Sequence, residues 1–100
     1  MSEKSWSDLL SERVPDLADL SKEDVAFMDS DTALPSWVKY LLAAALDAVA
    51  NHPNGVRRYG VRALEQGATR EQVTDTVRML RIFGGRPAMV TGAEALRDLP

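Results

Sequence analysis

Cysteine is absent from the 100 residues, and histidine occurs once. Without a thiol the chain can hold no disulfide framework, thiol-peroxidase centre or cysteine-based zinc site, and one imidazole does not make a histidine-rich metal site. No metal or other cofactor is expected. No run of 18 apolar residues occurs, so no membrane-spanning helix is expected. The start, Ser2-Glu3-Lys4-Ser5, lacks a basic region followed by an apolar stretch, so no signal peptide is read and a cytoplasmic location is the default. Aromatic residues amount to 6%, too few to suggest a chain rich in strands.

What is present is 45% hydrophobic residues, many of them alanine, which suits close-packed helices better than a sheet. A chain this short makes one domain that buries only about 60 to 65% of its unfolded surface, so oligomerisation would help it. The net charge of -3 argues against nucleic acid as a partner, yet the charge is unevenly spread. Residues 1–35 hold nine acids against Lys4, Arg13 and Lys22, giving -6, and the remainder holds six acids against nine bases, giving +3. The expectation is an acidic helical segment over residues 1–33 and a basic helical core over residues 34–100. The acidic part then packs on or screens the basic one, or the basic residues surround an anionic ligand.

The pattern along the chain predicts about six helices. Ser5 to Val14 places Trp6, Leu9, Leu10 and Val14 near one face, and Pro15 breaks the helix. Ser21-Lys22-Glu23-Asp24 has the form of a helix start, with a hydroxyl cap and acids at the positive end of the dipole; that helix runs to about Met28. Pro35 suits the first position of the next, in which Trp37, Val38, Leu41, Leu42, Ala45, Leu46 and Val49 form the buried face. Pro53 ends it. Asn54-Gly55 supplies a turn before a helix from Val56 to Gln66, and Gly67 stops that helix through its tolerance of positive φ. Thr69 and Gln72 form a capping box for a helix with Val73, Val77, Leu80 and, near its end, Phe83 inward. Gly84-Gly85 stops this helix, Pro87 opens the last one, and Arg97 falls in its final turn.

Two stretches, Ala63-Leu64-Glu65-Gln66-Gly67-Ala68-Thr69-Arg70-Glu71 and Gly84-Gly85-Arg86-Pro87-Ala88, together with Asn51 and Pro53, resemble the carboxymuconolactone decarboxylase and alkylhydroperoxidase D family. The likeness runs from about Leu34 to Leu96 and rests on order and spacing together. It implies an alkylhydroperoxidase D-like helical domain assembled as a trimer or as a hexamer of trimers. It also shows which family chemistry is missing. In the non-redox branch the catalytic glutamate position falls on Gly55 and the histidine position on Tyr59. In the redox branch the two cysteines fall on His52 and Gly55, the histidine on Tyr59 and the relay glutamate on Tyr40.

The polar groups left at or beside those positions are Tyr40, His52, Asn54, Arg58, Tyr59 and Arg62. His52 and Tyr59 are the catalytic candidates: an imidazole moves protons near neutrality, and a phenol can stabilise an enolate or carbonyl oxygen. Tyr40, Asn54, Arg58 and Arg62 are the substrate-binding candidates, the guanidinium groups being suited to a carboxylate. Each has a plainer reading: His52 favours the negative end of a helix, the tyrosines pack, and Arg57, Arg58 and Arg62 make salt bridges between subunits. Arg78, Arg81 and Arg86 read as a solvated edge. Two functions fit: a cofactor-independent lyase, isomerase or hydrolase acting on a small organic acid, lactone or carbonyl compound, or a ligand-binding or assembly module that keeps the fold without the chemistry.

Overall fold

A computed structural model describes residues 3–97, 99 and 100. Its six elements are all α-helices, and no strand occurs among the described residues. The chain divides into two compact units, Met1–Ser30 and Asp31–Pro100.

In the first unit, α1 (Trp6–Arg13) opens with a reciprocal cap. The Asp8 N–H donates to Ser5 Oγ at 3.2 Å, and the Ser5 N–H donates to Asp8 Oδ2 at 3.1 Å. The second helix differs from the sequence expectation. Ser21 starts nothing, because α2 runs unbroken over Pro15–Met28. Pro15 ends α1 by opening α2: its fixed φ and missing N–H suit the first helical position, and Asp16 follows in the first turn. The two helices pack on each other, with Trp6, Leu10, Ala18 and Val25 around a cleft of about 440 Å³.

The second unit holds α3 (Ser36–Val49), α4 (Pro53–Glu65), α5 (Arg70–Phe83) and α6 (Gly85–Ala95). Pro35 caps α3 rather than entering it, while the Asp31 carboxylate accepts from the Ser36 N–H at 2.8 Å. Helix α4 begins at Pro53, so Asn54-Gly55 lies inside its first turn and is not a cap. The reason repeats that at Pro15: a proline after a helix end is well placed to start the next helix. Gly67 (φ 108) closes α4 as expected, and the Thr69–Gln72 box opens α5, with bonds of 2.9 and 3.1 Å. Helix α6 starts at Gly85 instead of Pro87 and ends at Ala95, which leaves Arg97 in a turn beyond it.

The largest departure is the buried face of α3. The side that packs inward carries Ser36, Lys39, Tyr40, Ala44 and Ala48, whereas Leu42, Leu46 and Val49 are exposed. Helix α3 lies mainly against α4, which buries Gly55, Val56, Gly60 and Ala63. Interaxial distance is set by the side chains at the contact, so small residues on both helices allow an approach that a row of leucines would block. Ala44, Ala48, Val56, Leu80 and Ala88 form the core, flanked by Tyr59 and Leu96. On α5, Val73 and Leu80 are buried as expected, but Phe83 is 81% exposed.

Candidate functional site

The connection from α3 to α4 spans only Ala50, Asn51 and His52, and its backbone brings two polar side chains together. Asn51 adopts φ 58, in the left-handed region that asparagine enters more readily than most residues. The Asn51 N–H then reaches Ala48 O at 3.1 Å and the His52 N–H reaches Asp47 O at 2.8 Å, the pair of bonds that defines a Schellman turn. A second tie fixes the turn to α6: Thr91 Oγ1 donates to Asn51 Oδ1 at 3.0 Å.

In such a turn the side chains of the two residues joined by the outer bond meet, and that contact is usually apolar. Here they are Asp47 and His52, with His52 Nδ1 at 3.3 Å from Asp47 Oδ2. In the tautomer whose Nδ1 carries the proton, this contact is a hydrogen bond donated to the carboxylate, and Nε2 is left as the ring's acceptor. The imidazole is 64% exposed and the carboxylate 27%, so the ring is held on one side and open to solvent over much of its surface.

Gly55 lies buried beneath the pair. A Cβ there would overlap Asp47 Oδ2 and sit 2.7 Å from His52 Nδ1. The space a side chain at position 55 would need is thus taken by a carboxylate from α3 and an imidazole from the turn. The sequence pattern does not single out Asp47, although it carries a signal: it is the sole acid in α3, five positions before the only histidine.

Three other candidates gather farther along the same seam. The rings of Tyr40 and Tyr59 stack with centroids 6.0 Å apart and planes at 29°. The Arg62 guanidinium lies 5.6 Å from the Tyr40 ring centre and also donates to Glu65 Oε2 at 3.1 Å. Tyr40 is only 3% exposed, and Tyr59 packs against the core. Helical rise over the seven positions from His52 to Tyr59 is about 10 Å, so the backbone positions of the two catalytic candidates lie about two turns apart along α4. Asn54 and Arg58 are exposed on the first turns of α4, Arg58 one turn beyond Gly55.

Elsewhere, Arg78 faces Asp75 at 4.0 Å with both side chains about three-quarters exposed, an arrangement of little energetic weight. Arg81 and Arg86 are exposed as expected of a solvated edge. No group of three or more His, Asp or Glu side chains with metal-site geometry occurs among the described residues, and no helix there is long and apolar enough to cross a membrane. Compared with family models, curated proteins and solved structures, the chain matches none.

Proposed function

We propose that this chain is a cofactor-independent enzyme of the lyase, isomerase or hydrolase kind, acting on a small organic acid, lactone or carbonyl compound, with Asp47 and His52 as its proton-transfer pair. The observation that carries the reading is the Asp47–His52 contact at 3.3 Å over the buried Gly55. Asp47 holds the ring in one tautomer and orientation, leaving Nε2 to take a proton from carbon or water and return it later. Charge left on the substrate oxygen is met by the leading N–H groups of α4, which no side chain caps. Asn54 stands in that first turn, and Arg58 one turn on supplies a guanidinium for a carboxylate. Tyr59 and Arg62 touch only a substrate long enough to extend along the seam.

The family resemblance supports the reaction class and a trimer or hexamer of trimers. The same reading places the protein in the cytoplasm, with a small anionic ligand as its partner and no nucleic acid.

Thermal shift against a panel of small carboxylic acids and lactones tests it, because a ligand stabilises by RT ln(1 + [L]/Kd). At least one compound raises Tm, and with a substrate in hand His52→Ala and Asp47→Asn each lower kcat on the order of 100-fold. If the panel shifts nothing, or if both variants turn over at the wild-type rate, the proposal fails.

A second reading has its own observation. Tyr40, Tyr59 and Arg62 are joined to one another and to Glu65 by packing and pairing, as expected of a binding or assembly module whose polar seam is structural. Under it, Tyr59→Phe leaves ligand affinity unchanged and replacing Arg62 perturbs assembly.

A further inference from the structure

The chain keeps its small side chains inside and many of its large ones outside. Of the buried apolar residues among those described, six are alanines, and Val56 is the largest apolar side chain there that is fully enclosed. On the other side of α3, Leu42, Leu46 and Val49 face Met79 and Phe83 of α5 across a groove of about 410 Å³. These five are between 50 and 81% exposed. Among the described residues no charged side chain lines the groove, and Thr76 is its one hydroxyl.

We propose that this α3–α5 groove is the surface through which the chain associates with a second copy of itself. At roughly 150 to 200 Å² for a fully exposed large apolar side chain, the five present on the order of 500 Å². A monomer's largest apolar patch is usually about 300 to 600 Å² and often functional. The area is already more than half of the ~800 Å² that each partner contributes to a standard stable interface. Val38, Leu41 and Ala45, also in the lining, extend it.

Shape and chemistry select a like partner. The patch joins a groove to the largely exposed ring of Phe83 in its lining, so one surface offers both a recess and a side chain to a self-complementary contact. An uncharged lining offers no anchor to an acidic, basic or anionic ligand, whereas a second copy brings a matching apolar surface. The inference deepens the oligomer reading given above and does not depend on the chemistry of Asp47 and His52.

Light scattering coupled to gel filtration tests it. Wild type runs at the mass of two or more chains at micromolar concentration, and Leu46→Glu runs at a lower mass with its helical circular dichroism retained. Wild type that is monomeric throughout overturns both the oligomer and the groove. A folded Leu46→Glu chain of wild-type mass leaves the oligomer standing and overturns the groove as its interface.

A second measurement avoids a charged substitution. Since the chain has no cysteine, Val49→Cys and Arg57→Cys each introduce a single thiol, the first in the groove and the second on an exposed position of α4. The thiol-reaction rate of the Val49→Cys chain falls by roughly tenfold or more from dilute to concentrated protein, as mass action requires, while that of Arg57→Cys stays constant. Protection at position 49 that does not vary with concentration overturns the proposal.

Discussion

Two turns in the second unit share one backbone design and differ in what they carry. After α4, Gln66, Gly67 and Ala68 repeat the bonding found after α3: the Gly67 N–H reaches Leu64 O at 3.1 Å and the Ala68 N–H reaches Ala63 O at 2.9 Å. There the meeting pair is Ala63 and Ala68, both buried, and the left-handed residue is glycine. At the α3–α4 turn the meeting pair is Asp47 and His52, and the left-handed residue is asparagine with a hydrogen bond to Thr91. The alanine version shows that the turn does not need a carboxylate and an imidazole to form, so their presence calls for another explanation.

The comparison breaks most visibly at the left-handed positions. Asn51→Ala combines the cost of positive φ with loss of the Thr91 bond and is expected to destabilise by about 2 to 3 kcal/mol. Asn51→Gly removes the bond but relieves the backbone and is expected to cost about 1 kcal/mol or less. Chemical denaturation checks both; equal losses would show that backbone conformation matters little at this turn.

Next is Gly67→Ala. A Cβ there meets nothing within 4 Å, so the penalty is conformational alone, about 1 to 2 kcal/mol. A neutral result would mean that the turn reshapes cheaply.

The sharpest prediction is a small stability effect. Replacing Asp47 and His52 together by alanine recreates the pair used after α4. Stability should change by no more than about 0.5 kcal/mol, because the imidazole is largely exposed, while any activity disappears. Strong destabilisation instead would make the pair structural and remove the basis of the catalytic reading. Gly55→Ala probes the pair from below: nitrogen NMR of the imidazole should show wild type holding its proton on Nδ1 and the variant losing that preference, since the new Cβ displaces Asp47. An unchanged ring signal would mean that the two side chains are not held together in solution.

The smallest expected effect is none. With no cysteine, clean protein supplied with a thiol reductant should consume peroxide at the buffer rate; protein-dependent turnover would place chemistry outside the residues considered.

What could be read in the sequence follows the range of the forces involved. Gly67 as a stop, Thr69 with Gln72 as a start and Gly84 as a stop are local effects of backbone freedom and capping, and each lies where expected. Pro15 and Pro53 were read as terminators when each also opens the next helix, because the same ring that breaks one helix suits the first turn of another. The apolar stripe of α3 was legible, but its direction was not. Periodicity shows that a helix has two faces; the glycines and alanines of α4 decide which one it packs against. Of the site, His52 stands out in the sequence as the one imidazole. Its partner does not, because the meeting of Asp47 with His52 depends on the left-handed conformation of Asn51, which the sequence only permits.

The three-residue link between α3 and α4 also bears on the order in which the structure forms. Contacts between helices joined so closely are near in sequence, and chains dominated by such contacts fold in microseconds to milliseconds. Encounter between chains is slower and depends on concentration. Under the association proposed above, a newly folded subunit with Leu46 and Phe83 uncovered persists until it meets a second copy, and in that interval association competes with aggregation.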